Sequence, residues 1–294
     1  LLFIIIGVVA LISYSLIIFR RSNVKLKERN GLIKKQQEKI IDSINYANRI
    51  QQSILIPEEE IRKTLNGFFA YFKPRDIVSG DFYWYGVVKD IKVIAAIDCT
   101  GHGVPGAFMS MIGNTLLNEI IIEKEIVDPG TILNNLHEAI ITNLQQDKEG
   151  EHAQDGMDIS LCSIDTKNNV IKYAGAKNPL YYVKDNKVES IKGDPFSIGG
   201  MYHVSKKTKK EVKFSTKIIT PSKELSLYLF SDGYMDQFGR NNRIAFNTKR
   251  FKNMLLDIYR KEPNSQKNII SDKMDNWKGD VKQLDDMLVI GFKV

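Results

Sequence analysis

At 294 residues and 43% hydrophobic content, the chain can hold one sizeable domain plus an appendage and can bury a core, which excludes a disordered chain. The formal charge of +7 is local: residues 20–35 hold seven Lys/Arg against Glu28, a net of +6, which leaves the rest near +1 and excludes a nucleic-acid-binding face spread over the domain. Two cysteines, Cys99 and Cys162, make no disulfide framework and suit a reducing cytosol.

The first nineteen residues carry no charge and would span about 28 Å as a helix, close to the hydrocarbon thickness of a bilayer. A cleaved signal peptide is the competing reading. It would place basic residues before the apolar run, whereas here Arg20, Arg21, Lys25 and Lys27 follow it. Residues 1–20 are therefore expected to form a single transmembrane helix in the cytoplasmic membrane, with everything downstream in the cytoplasm. Residues 21–66 read as a basic juxtamembrane segment and helical linker. Its apolar series Ile33, Ile40, Ile44, Ala47, Ile54 has steps of seven, four, three and seven. That stripe fits either a dimerising coiled coil or one amphipathic helix packing on its own domain. Pro57 ends the helix.

Residues 67–294 read as the folded domain. Aromatic and β-branched runs predict strands over 68–72, 82–88 and 93–97. Helices follow over 104–123, with Pro105 in the first turn, and over 129–146, with Asp128 as N-cap. Further strands are predicted over 157–164, 170–174, 180–183, 212–219 and 225–230, then helices over 249–259 and 265–277 and a last strand over 287–292. The lysine-rich run 206–210 reads as a solvated hairpin tip. Strand runs broken by helix pairs, without regular βαβ alternation, predict an α+β fold with mainly antiparallel sheets.

Acidic residues recur beside glycine at strand edges: Ser79-Gly80-Asp81, Asp98-Cys99-Thr100-Gly101-His102-Gly103 and Ser231-Asp232-Gly233, with Asp285-Asp286 before the last strand. Carboxylates at neighbouring strand ends converge on one cleft, and such all-oxygen sites suit hard divalent cations rather than zinc. Taken singly, each is also an ordinary turn or cap.

Together with Lys73-Pro74-Arg75-Asp76-Ile77-Val78 ahead of Ser79, Val104-Pro105-Gly106-Ala107 after Gly103, and Ala174-Gly175-Ala176-Lys177-Asn178-Pro179, these motifs occur in a familiar order. From Tyr71 onward the chain resembles the stage II sporulation protein E-type (SpoIIE-type) branch of the metal-dependent protein phosphatases (PPM), relatives of the type 2C serine/threonine phosphatases. The resemblance implies a layered α-β-β-α sandwich preceded by the transmembrane helix and linker. It implies hydrolysis of phosphoserine or phosphothreonine by water activated between two Mn²⁺ or Mg²⁺ ions. By position, Asp98 would bridge the metals, the carbonyl of Cys99 would be a further ligand, and Asp232 and Asp285 would complete one shell. Asp81 would serve from the other side, directly or through water. Asp286 could exchange with Asp285, the first of the pair being favoured.

Arg75 is a candidate contact for substrate phosphate, or an exposed arginine. His102 does not stand where type 2C enzymes have histidine, which leaves a helix-entry role beside a general-acid one. The expected partner is a phosphorylated protein, an anti-sigma-factor antagonist type regulator in bacterial partner switching, with a homodimer formed through the linker. A catalytically silent signalling module of the same fold is the competing reading.

Overall fold

Residues 2–146, 154–200, 212–221, 225–240 and 244–294 are described by the computed structural model, apart from the side chains of Val9 and Ala10. Two units are distinguished, Leu1–Ala47 and Asn48–Val294. A first helix, α1 (Leu2–Ile54), begins in one and ends in the other. Its N-terminal part is long and apolar enough to cross a membrane, and Phe3, Leu11 and Phe19 there are exposed. Farther along, Gln51 and Leu55 are buried in the second unit. Pro57 then redirects the chain into α2 (Glu58–Arg62), whose Ile61 joins the core with Leu65.

Strands β1 (Phe69–Lys73), β2 (Phe82–Val88) and β3 (Ile91–Cys99) lead into α3 (Gly103–Leu117), a π-helical turn at Asn118–Glu123, and α4 (Pro129–Asn143). Next come β4 (Gly156–Asp165), β5 (Val170–Ala176), β6 (Leu180–Lys184), β7 (Lys187–Ile191), β8 (Ile198–Gly199), β9 (Lys217–Ile219) and β10 (Ser226–Phe230). After α5 (Gly233–Asp236), α6 (Asn247–Ile258) and α7 (Pro263–Lys278), the chain closes on β11 (Met287–Lys293).

One antiparallel sheet has the order β1-β11-β10-β6-β7 and the other β2-β3-β4-β5-β9, with β8 beside β4. Period-2 alternation explains the layering. Leu227 and Leu229 of β10 and Leu288 and Ile290 of β11 face the core shared with Ile94 and Leu161 of the other sheet. Their neighbours Tyr228, Phe230, Met287 and Val289 face Phe251, Met254 and Ile270 of α6 and α7. Meanwhile α3 and α4 cover the outer face of the second sheet. The result is the α-β-β-α sandwich that the sequence implied. Val93–Ile97 of β3 is buried on both faces, and each such aliphatic side chain contributes about 1.5–3 kcal/mol.

Beyond the short α2, β8 and α5, which the sequence pattern did not predict, the element pattern departs from expectation at a strand, a hairpin and a helix. Only Lys217–Ile219 of the run 212–219 enters the sheet, because Asn134 Oδ1 accepts from the Phe214 N–H at 2.9 Å and its Nδ2 donates to the Phe214 carbonyl at 3.1 Å, replacing a strand neighbour. Strand β7 was not predicted: its Lys187 and Glu189 break the apolar signal. The signal that was available is the turn Asp185-Asn186, where both residues have positive φ as a two-residue hairpin requires. The helix over 104–123 changes to a π-helical turn at Asn118, whose side chain accepts from the Trp84 indole at 2.9 Å. The expected hairpin tip at 206–210 lies outside the described residues.

Candidate active site

The acidic motifs converge at one end of the sandwich because of strand direction. Asp98 lies at the end of β3, Asp81 just before its antiparallel neighbour β2, Asp232 just after β10, and Asp285 just before its antiparallel neighbour β11. Backbone crossings hold the loops together. A Cβ on Gly80 would lie 2.5 Å from the Gly101 carbonyl oxygen, and one on Gly106 would lie 2.8 Å from the Gly80 Cα. Only glycine permits so close an approach of the 79–81 loop to the entry of α3. Similarly, a Cβ on Gly233 would meet the Asp286 carbonyl oxygen at 2.0 Å.

Adjacent aspartates play different parts. Asp286, 2% exposed, accepts from the Arg75 N–H at Oδ1 and the Gly80 N–H at Oδ2, both at 2.7 Å. Its carboxylate is thus a clamp on the loop that carries Asp81. Among the described residues, the Asp285 carboxylate accepts at Oδ1 from the following N–H alone, at 2.9 Å. Ser231 Oγ accepts from the Leu288 N–H at 3.0 Å.

A second clamp grips the same loop. Gln51 Nε2 donates to the Ser79 carbonyl at 2.6 Å and to Ser110 Oγ at 2.8 Å, and its Oε1 accepts from the Ser79 N–H at 3.1 Å.

Burial, then repulsion from Asp98 and the neighbouring acids, pushes Asp81 well above the usual carboxylate range against the opposing influence of Ser231. Asp98 is likewise pushed well up by burial, then by Asp232, Asp158 and Asp285. Asp232 is pushed up to about 6 by burial, then by Asp236, Asp285 and Asp158. Asp81 Oδ2 is buried without a hydrogen-bond partner. An orphaned anionic oxygen among mutually repelling carboxylates is a fit for hard cations, which would satisfy the one and relieve the other. Among the described residues, however, no three His, Cys, Asp or Glu side chains already stand in ion-holding geometry. The Cys99 thiol is pushed far up by burial and then by Asp98, which leaves its backbone carbonyl as the donor it can offer.

The family described as stage II sporulation protein E (SpoIIE) matches residues 92–294. The chain belongs to this family. Among solved structures, the SiaA-PP2C domain of Pseudomonas aeruginosa is similar at 31% identity and a TM-score of 0.77, over 88% of this chain and 98% of that one. The SpoIIE phosphatase domain with a regulatory-domain fragment from Bacillus subtilis shares the fold at 15% identity and a TM-score of 0.61, over 77% of this chain and 62% of that one. The RsbU and RsbW domains of a Mycobacterium tuberculosis protein share it at 17% identity and a TM-score of 0.58, over 77% and 59%. A search of curated proteins returns no match. The second unit is thus a SpoIIE-type phosphatase domain, as the motifs implied.

Within this SpoIIE-type domain, Asp81, Asp98, Asp232 and Asp285 fall in one electrostatic cluster. Arg75 sits at its rim, with its guanidinium donating to the Leu284 carbonyl at 2.9 Å. His102 is the residue before α3, and its Nδ1 lies 3.0 Å from Asp76 Oδ2, both side chains about half exposed. Sequence reasoning missed Asp158, which stands opposite Asp98 in the β3–β4 register. The available signal was an aspartate at the start of an otherwise apolar strand. Gln51 was missed as well, being one polar residue among many on a long helix.

Proposed function

We propose that this chain is a metal-dependent protein serine/threonine phosphatase anchored in the cytoplasmic membrane by the apolar part of α1, with its second unit in the cytoplasm. The observation that carries this reading is the orphaned Asp81 Oδ2 within the buried cluster of Asp98, Asp232 and Asp285. Two divalent cations, Mn²⁺ or Mg²⁺, would supply a water of lowered pKa and neutralise charge on the phosphoryl oxygens. RsbX, which shares the fold at 14% identity and a TM-score of 0.50, has been solved in complex with magnesium.

Asp98, Asp232, Asp285, Asp81 and the carbonyl of Cys99 would hold these ions, while Asp286 keeps the 75–80 backbone in place. Both oxygens of Asp286 already accept a backbone N–H, which supports giving the ligand role to Asp285. With such a water as the nucleophile, attack on the phosphoserine or phosphothreonine of a partner would be direct, without a phosphorylated side chain of the enzyme. The substrate is read as a phosphorylated regulator of the anti-sigma-factor antagonist type, in a partner-switching pathway. Ile33 and Ile40, exposed on α1, support dimerisation through the linker.

The test is hydrolysis of p-nitrophenyl phosphate and of a phosphoserine peptide by the full chain in detergent, with Mn²⁺, with EDTA, and with Asp98→Asn. Phosphate release that needs Mn²⁺ and disappears in the variant is expected. A wild-type chain silent on both substrates at saturating Mn²⁺ would point to a partner-binding module.

A further inference from the structure

At the edge of the carboxylate cluster lies one ion pair. Asp158 and Asp98 are cross-strand partners, so their side chains leave the same face of the sheet. The charge of Asp158 raises both Asp98 and Asp232, which places it within the cluster's field. Ser197 Oγ donates to Asp158 Oδ1, and Lys177 Nζ lies 3.5 Å from Oδ2. The lysine side chain is 40% exposed and that of Asp158 27%, so this pair is in contact with solvent.

The backbone holds Lys177 there against a conformational cost. Its φ of 54° is in the left-handed region, which a residue with a Cβ disfavours and which glycine or asparagine would adopt more readily. The turn is locked by the Lys177 N–H on the Asp194 carbonyl at 2.8 Å, the Asn178 N–H on the Ala176 carbonyl at 2.6 Å, and the Tyr173 hydroxyl on the Asn178 carbonyl at 2.5 Å. A half-exposed ion pair at 3.5 Å contributes little to stability, so stability does not account for a lysine at this place.

Charge balance does account for it. Asp81, Asp98, Asp158, Asp232, Asp236, Asp285 and Asp286 bring seven formal negative charges, and two divalent cations would return four, so a phosphoryl dianion would approach a site with net charge −3. A solvent-exposed cation beside them offsets that repulsion and gives the phosphoryl oxygens a charged donor. We propose that Lys177 is the residue that binds a phosphoryl oxygen of the substrate, with Asp158 holding its ammonium in reach between turnovers. The assignment rests on the phosphatase reading. Arg75, whose guanidinium donates to the Leu284 carbonyl, is the rival cation, and its own variant separates the two.

The test compares wild type, Lys177→Met, Lys177→Arg and Arg75→Met in the full chain, in detergent with saturating Mn²⁺. Inorganic phosphate is the probe, its affinity read by calorimetry without turnover and its inhibition constant read against p-nitrophenyl phosphate. Lys177→Met should weaken phosphate binding and raise KM together by about tenfold, the scale of one charge-assisted hydrogen bond, with kcat and Mn²⁺ affinity held. Lys177→Arg should recover most of the loss. The proposal is overturned if phosphate affinity is unchanged in Lys177→Met, if the loss appears in Arg75→Met alone, or if Mn²⁺ affinity falls by the same factor. Should the wild type bind phosphate through Lys177 yet hydrolyse nothing, the enzymatic reading fails while the binding assignment stands.

Discussion

Replacing Gln51 with leucine tests whether the end of the long helix sets the geometry of the proposed metal site. The substitution keeps the volume nearly constant and removes three hydrogen bonds, at 2.6, 2.8 and 3.1 Å, from a side chain that is 2% exposed. It strands the N–H and carbonyl of Ser79, a residue with no exposure of its own. Each buried polar group left without a partner costs about 1–3 kcal/mol, so the two together cost about 2–6 kcal/mol. Ser79 is two residues from Asp81, and the loop can recover solvation only by moving, which displaces the carboxylate. If about 3 kcal/mol of the cost falls on that displacement, apparent Mn²⁺ affinity drops by about a hundredfold.

The assay is calorimetric Mn²⁺ affinity of the full chain, paired with the Mn²⁺ dependence of hydrolysis and the thermal midpoint. Ser110→Ala serves as the milder variant, since it removes one of the three bonds and leaves Ser79 satisfied. A lowered midpoint with Mn²⁺ affinity unchanged in Gln51→Leu would refute the coupling and leave Gln51 a purely structural residue.

Asp98→Asn should raise the thermal midpoint in EDTA, because it removes one of the repelling buried charges, and should abolish the rise that Mn²⁺ gives the wild type. Gly233→Ala should cost about 1–3 kcal/mol or more in chemical denaturation and weaken Mn²⁺ binding, since its Cβ would meet the Asp286 carbonyl oxygen at 2.0 Å. Asp128→Ala should destabilise by about 1 kcal/mol, because Asp128 caps α4 through Thr131 and accepts from Thr216 at 2.7 Å. Burial opposes ionisation of Asp128, but hydrogen bonds from Thr216 and Thr131 outweigh it and lower its pKa below 3.8. Its contribution is therefore present above that value and lost as pH falls through the folded-state pKa, so the two denaturation curves should converge in acid. Removal of residues 1–47 should leave the second unit folded, by circular dichroism, with the Gln51 clamp retained.

The sheets, the helix pairs and the aspartates were legible because each rests on local pattern: β-branched runs for strands, and acid beside glycine at strand edges. What escaped depends on side chains distant in sequence. Asn134 captures the backbone of Phe214 from 80 residues away and cuts a predicted strand short. Asp158 looks like a flaw in an apolar strand until the register sets it against Asp98. The two adjacent acids 285 and 286 are chemically identical; the resemblance favours the first as ligand, but the clamp made by the second on the N–H groups of Arg75 and Gly80, more than 200 residues away, was not legible.

The loop from Arg75 to Asp81 is held from two independent directions. Asp286, just before the final strand, takes two of its backbone donors, and Gln51, near the end of α1, takes the donor and acceptor of Ser79. The first clamp belongs to the sandwich and persists as long as β11 stays paired with β1 and β10. The second is borne on a helix whose other end is apolar enough to enter a membrane. Loss of the Gln51 contacts would free the backbone of Ser79 while leaving β1, β10 and β11 paired, because those strands are held by their own cross-strand ladders. Asp81 is thus the member of the carboxylate cluster whose loop is held by both clamps, and loss of either one should displace it first.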